Sequence, residues 1–356
     1  VSALERGPAG RGRSGLGPAG RGQAGRGQTG LGPVWELVHG VPDRRLRPGV
    51  RAYRGYRLEF DRPRRRLEVP TGAVTLVIGF GAPLWTADLS GGPRRSLHPV
   101  ARTSVLTGLR SHATLGEHSG SAHGVEVILA PWAAYTCFGV AMDQWAEQLL
   151  HPGDLLGVRV DALTDALLAL PDWPRRFELL DRTLAQWAGD GPRSSPRVVW
   201  AWRELCRTAG SIGIRQLAGG TGWSTRQFEH RFRQQIGLAP KTAARVLRLR
   251  RALSLLSRGH SGVDTSLRCG FADQAHLSRE VKRMTTLSPS RLVAVRTGVA
   301  KALVHDRIEG EITSFPAPPR LHGPPAPPRQ HGSVAPAQRP GFPLRRGSPA
   351  LSPPTG

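Results

Sequence analysis

Two stretches of equal length decide how this chain reads: STRQFEHRFRQQIGLAP at 224–240 and DQAHLSREVKRMTTLSP at 273–289. Phe228-x3-Phe232-x4-Gly237-x2-Pro240 in the first aligns with Leu277-x3-Val281-x4-Thr286-x2-Pro289 in the second, at an offset of 49 in every position. A fixed offset marks an internal repeat of one supersecondary unit. Each copy follows a short helical pattern and a glycine-marked turn, 214–222 and 263–270, so the sequence predicts two helix-turn-helix units.

Within the first unit Ser224 is a good N-cap, Gln227 completes a Ser-x-x-Gln capping box, and Trp223 and Phe228 stand where a hydrophobic staple would pack. Phe228, Phe232 and Ile236 make one apolar stripe, which leaves Arg226, Glu229, His230 and Arg233 on the opposite side of the helix. In the second unit Asp273 is the expected cap and Leu277, Val281 and Met284 the buried stripe. Ala275, Ser278, Arg279 and Lys282 then take the same four outward places, flanked by Gln274. These side chains suit base edges: Arg pairs with guanine, Gln with adenine, Glu accepts from cytosine, and Ala or Ser approaches a thymine methyl. Arg279 and Lys282 would serve equally as phosphate contacts.

Between the units, 241–258 reads as one long helix, with Val246, Leu249, Leu253 and Leu256 inward and Arg245, Arg248, Arg250 and Arg251 around them. A rigid spacer would hold two recognition helices about 34 Å apart, one turn of duplex, without dimerisation. Thr225, Arg233, Lys241, Arg245, Arg248 and Lys282 are the candidate phosphate contacts; for Arg245 and Arg248 a purely solubilising role weighs the same.

Charge agrees with this placement. The 356 residues carry 50 Lys+Arg against 26 Asp+Glu, yet 34–190 is nearly neutral, 18 against 17, while 191–299 holds 20 against 5. A positive balance confined to one segment is the footprint of a polyanion binder. Three dispersed cysteines, Cys137, Cys206 and Cys269, suggest neither a disulfide framework nor a thiolate zinc site. The longest apolar run, 127–142, is short and contains Pro131, so no membrane span is expected. With three Lys, 47 Arg and no Asn, the composition fits a high-GC bacterial genome, and a cytoplasmic setting is the expectation.

Upstream, 53–60 and 124–129 alternate and 73–80 is a β-branched apolar run, with Gly/Pro/Ser clusters between them. Helical spacing takes over after Val140: Leu163, Leu167 and Leu170, then Phe177, Leu180, Leu184 and Trp187. The expected class is α+β multidomain: an N-terminal β-rich, cupin-like barrel domain with helices, and a C-terminal all-α double helix-turn-helix domain. The boundaries read as a disordered Gly/Arg tail at 1–33, a regulatory domain at 34–188, a linker at 189–196, the basic domain at 197–299 and a disordered Pro/Arg tail at 300–356.

The residues Ile214-x2-Leu217-Ala218-x3-Gly222-Trp223-Ser224-x3-Phe228-x3-Phe232, Gly237-Leu238-x-Pro240-Lys241 and Cys269-Gly270-Phe271-Ala272-Asp273-Gln274-Ala275-His276-Leu277-Ser278-Arg279 closely resemble the AraC-type transcription regulators over 197–296. The resemblance implies a seven-helix DNA-binding domain behind a domain that senses a small molecule or dimerises. By motif position it puts base contacts on Arg226, Glu229, His230, Gln274, Ala275, Ser278 and Arg279. Double-stranded DNA is the implied partner, with a small-molecule effector, RNA polymerase and a second copy of the chain as further ones; no enzyme activity and no cofactor are implied. Gly219 and Gly220 inside a helix, Ser266 in place of a buried alanine and Thr286 in place of glycine depart from the family pattern.

Two other readings are open to the same residues. His98, His112, Glu117, His118 and His123 would hold a metal in a cupin-like barrel if they converged, making a metal-dependent enzyme fused to a DNA-binding module; the spacing lacks a His-x-His pair, so no metal site is assigned. A nucleic-acid-coating protein would act through its Gly/Arg tails. The ten arginines of 44–66 read as a charged barrel edge that resists sheet pairing.

Overall fold

The computed structural model describes residues 24–27, 35–59, 63–90, 99–118, 120–297 and 311–317. The N-terminal half is built of strands β1 (Ala24–Gly27), β2 (Trp35–Gly40), β3 (Val50–Glu59), β4 (Arg64–Glu68), β5 (Val74–Gly79), β6 (Leu84–Asp88), β7 (Val100–Arg102), β8 (Val105–Thr107), β9 (Thr114–His118) and β10 (Ser121–Leu129). Helix α1 (Pro131–Phe138), a 3-10 turn at Met142–Gln144 and strand β11 (Leu149–Leu150) lead to α2 (Pro152–Leu156), α3 (Val158–Leu168) and α4 (Trp173–Asp190).

Two antiparallel sheets result, ordered β1-β2-β3-β10-β5-β8-β11 and β12-β4-β9-β6-β7, where β12 (Ser314–Pro316) comes from the far end of the chain. The apolar run of β5 is buried along its whole length, as a central strand covered on both faces must be. Side chains from both sheets line a shared cavity, so the β-rich expectation stands in the form of two facing sheets.

Helix α4 closes the outside of the first sheet. Asp172 caps it by accepting from the amide of Arg175 at 2.9 Å, and Trp173, Phe177, Leu180, Leu184 and Trp187 form the buried stripe. The strands meet this stripe with glycines: a Cβ at Gly55 would stand 2.2 Å from the Trp173 ring. Tyr53 stacks on Phe177 and donates to Asp181 Oδ1 at 2.8 Å. Arg176 donates to the carbonyl of Leu167 in the last turn of α3 and to that of Leu170 just beyond it, where a cation suits the helix dipole.

The C-terminal half is helical: α5 (Pro196–Arg207), α6 (Ile214–Thr221), α7 (Thr225–Ile236), α8 (Pro240–Ser257), α9 (Gly262–Cys269), α10 (Gln274–Thr285) and α11 (Pro289–Thr297). One apolar core runs through both halves; Leu247 and Trp202, for example, lie against the turn at Gly72. No helix of the described residues is long and apolar enough to cross a membrane.

Both tail expectations need correction where the structure describes them. Ala24–Gly27 pairs with β2 as an edge strand. Residues 311–317 are ordered against β4, with Phe315 opposite Leu67 and Ile312, Thr313, Ser314 and Phe315 all buried. Two apolar side chains among prolines suffice, because an existing sheet edge supplies the partners. The rest of 1–33 and 300–356 lies outside the described residues.

Of the described arginines in 44–66, Arg44, Arg45, Arg47 and Arg57 are exposed as expected, but the others are not a solvated edge. Arg54 pairs with Glu126 at 2.8 Å with both side chains under a tenth exposed, Arg65 pairs with Glu117, and Arg51 reaches Glu311. The acidic partners of these three lie 52 to 260 positions away in sequence, which is why they look unpaired when read linearly.

Candidate nucleic-acid interface

The repeat seen in sequence is a repeat in space, element for element. Helix α6 ends at Gly222, φ +68°, and α9 at Gly270, φ +69°; the left-handed residue lets each chain reverse into the next helix. Ser224 then accepts from the amide of Gln227 at 3.2 Å, and Asp273 from that of His276 at 2.6 Å, starting α7 and α10 as expected. Phe228, Phe232 and Ile236 are buried under α7, and Leu277, Val281 and Met284 under α10. Ser266, at the alanine place, is buried and donates back to the Gly262 carbonyl at 2.7 Å, so its hydroxyl is satisfied.

The outward stripes are accessible. Thr225, Arg226, Glu229, His230 and Arg233 are exposed on α7, and Gln274, Ala275, Arg279 and Lys282 on α10, with Ser278 half-buried between them. Among the described residues none of these charged groups forms an ion pair, so they remain available to a ligand. The spacer α8 has 18 residues, about 27 Å at 1.5 Å per residue.

Not every candidate phosphate contact shares that face. Lys241 is exposed at the start of α8, but Arg245 donates to Glu280 of α10 at 2.8 Å, and Glu280 is also held by Arg283. Arg248 lies over the Phe271 ring, 5.7 Å from its centroid. Both spacer arginines therefore turn toward α10, lining a groove with Lys241, His276 and Arg283. Their expected phosphate role had no sequence signal to set it apart from this bracing one.

The cavity between the sheets, about 80 Å³, was not foreseen. Arg54, Glu126, Glu68 and Arg110 bring charge to its wall, His112 brings an imidazole, and Tyr56 and several threonines bring hydroxyls. An ion pair as buried as Arg54–Glu126 is costly unless well hydrogen-bonded, so its presence is weak evidence for a purely stabilising role. The candidate metal ligands scatter: His112 sits between Asp88 and Glu147, His123 edges onto Phe80 and Trp173, and Glu117 serves Arg65. His98 lies outside the described residues. Among the described residues no three His, Cys, Asp or Glu side chains gather in a metal-holding group. Burial pushes the Cys137 thiol up to about 12 and raises Cys206 and Cys269, as for core residues.

Comparison with known proteins agrees with this geometry. Residues 217–294 match the family model described as a helix-turn-helix domain. The uncharacterized HTH-type transcriptional regulator YbfI of Bacillus subtilis (strain 168) is 30% identical over 69 residues, 19% of this chain and 25% of that protein. The chain thus spans a quarter of the length of the curated relative it matches. Among solved structures, an AraC-type DNA-binding domain-containing regulator from Chromobacterium violaceum is 29% identical over 28% of this chain and 90% of its own, TM-score 0.27. ToxT from Vibrio cholerae is 11% identical over 69% of this chain and 98% of its own, TM-score 0.38.

Proposed function

We propose that this chain is a sequence-specific DNA-binding transcriptional regulator whose two reading helices, α7 and α10, enter successive major-groove segments under control of the β-rich domain. The observation that carries the reading is the duplicated exposed stripe: Arg226, Glu229 and His230 on one helix, and Gln274, Ala275, Ser278 and Arg279 on the other. Each is mounted the same way on a basic scaffold. Thr225, Arg233, Lys241 and Lys282 flank these stripes as phosphate contacts. The cavity between the sheets is the place for a small-molecule effector, and residues 34–188 and 197–299 act as the sensing and reading parts. The protein works in the cytoplasm on double-stranded DNA and is not an enzyme; RNA polymerase and a second copy of the chain are the natural further partners of such a regulator.

Selection of genomic fragments by the full chain at fixed near-physiological salt tests this. A recovered motif with two elements about one helical turn apart is the expected result. Affinity that follows salt alone, with no motif, would overturn sequence readout.

A further inference from the structure

Two turns of the β-rich half meet the ends of the two reading helices. Residues 108–113 wall the cavity through Gly108, Arg110 and His112, and the next amide, Ala113, donates to the carbonyl of Met284 at 2.7 Å. That carbonyl belongs to the last turn of α10, where no partner exists within the helix. Residues 142–147 lie on the C-terminal end of α7: a Cβ at Gly237 would stand 3.3 Å from both Ala146 Cβ and the Met142 carbonyl.

Glu147 joins the two turns. Both its carboxylate oxygens accept from the amide of Ser111, at 3.1 and 2.9 Å, and its own amide donates to the Leu109 carbonyl at 3.0 Å. Arg110, buried, donates to the Glu147 carbonyl at 2.9 Å and lies 3.0 Å from Asp88. His112 places Nδ1 3.2 Å from Glu147 and Nε2 3.0 Å from Asp88. Glu147 holds φ at +61°, a left-handed conformation unfavourable for a non-glycine residue. Such strain persists only where surrounding contacts over-determine it, and it concentrates at clamps and switches.

We infer that Glu147 is a positioning residue for DNA readout, coupling the cavity wall to the C-terminal ends of α7 and α10 so that a ligand touching Arg110 or His112 shifts both reading helices together. The inference rests on the proposed reading of cavity and helices. Two turns locked through the main chain and the carboxylate of one residue move as a unit, and a packed joint of this kind has few arrangements to choose from. Linkage then requires the reverse effect: DNA that favours one helix placement changes the cavity's affinity for its ligand by the same factor.

Hydrogen exchange on the full chain, read by mass spectrometry, tests the joint without DNA or ligand. In Glu147→Ala, peptides covering 235–240 and 282–288 should exchange at least tenfold faster, with β10 and α8 unchanged. Glu147→Gln, which keeps one oxygen for the Ser111 amide, should recover part of the protection. Faster exchange confined to 108–113 and 142–147 would overturn the coupling; so would even loosening of the whole fold in both variants, since Glu147 would then hold the fold and not the joint. On the operator recovered by selection, Glu147→Ala should lower the ratio of specific to non-specific affinity about tenfold, leaving non-specific affinity at that salt unchanged. An unchanged ratio would also overturn the inference. If no operator is recovered, the DNA-reading proposal fails while the exchange result still judges the joint.

Discussion

Gly237 and Thr286 occupy equivalent places 49 positions apart, and both close a reading helix with positive φ, +101° for the glycine and +66° for the threonine. Threonine is β-branched and pays for a conformation that glycine adopts freely, and its Oγ1 is buried without a hydrogen-bond partner. Thr286→Gly should therefore stabilise the protein by about 1 kcal/mol, measured as a higher urea midpoint at unchanged slope. An unchanged or lower midpoint would show that Thr286 makes a compensating contact.

Gly219 and Gly220 lie side by side in α6 with different surroundings. A Cβ at Gly219 meets nothing within 4 Å, so Gly219→Ala should gain about 1 kcal/mol from helix propensity. At Gly220 it would stand 2.2 Å from the Trp200 ring, which must swing away, so Gly220→Ala should gain less. Thermal unfolding of the two variants side by side checks the contrast.

Basic residues on α8 and α10 separate by what they face. Arg279→Ala should weaken operator binding by about 1–3 kcal/mol and relax base choice at one position, whereas a uniform loss on every sequence would assign Arg279 to phosphate. Lys282→Ala should lower the slope of log affinity against log salt by about 1. Arg245, already occupied by Glu280, should leave that slope unchanged when replaced by Ala and should lower stability instead.

Mild acid should loosen the β-rich half through two of its histidines. Burial holds His112 and His123 below the usual imidazole value, helped by Arg110 for the first and by Arg176 and Arg57 for the second. The unfolded chain then binds protons that the folded chain does not. The stability of the neutral imidazoles is fully present above about pH 6.5 and is lost as pH falls through that value toward their lower folded ones. The double variant His112→Asn/His123→Asn should flatten the fall in unfolding free energy between about pH 7 and 5.5; an unchanged slope would place the sensitivity elsewhere.

Phe315 lies 3% exposed between β4 and α11, with the Arg296 guanidinium 5.9 Å from its ring. Phe315→Ala should cost about 3 kcal/mol or more, a core-sized loss from a segment whose composition resembles a loose tail. A cost near zero would return 311–317 to the periphery.

Legibility in the sequence followed the range of the interactions. Capping at Ser224 and Asp273, the stripes of α7 and α10 and the glycine turns depend on neighbours within one or two helical turns, so spacing alone revealed them. The cavity wall could not be read that way: Arg54 finds Glu126, Arg110 finds Glu147, and Glu68 faces Ser314 only after the sheets have formed. Arg245 shows the limit most plainly. Its place on the helix fitted a phosphate contact, and only the approach of α10 assigns it to Glu280. Glu147 has no local signature at all, since it lies in a short turn and owes its φ to partners 36 and 37 positions upstream.

The pairing of β12 with β4 sets an order on synthesis. Strand β4 leaves the ribosome some 250 residues before its neighbour Ser314, after both helix-turn-helix units have been made. Until then one edge of the second sheet has open amides and carbonyls beside the apolar side chain of Leu67, a template for pairing with a second nascent chain. Termination anywhere within the reading helices would leave that edge bare for good, so shortened products of this gene should aggregate rather than persist as free β-rich domains.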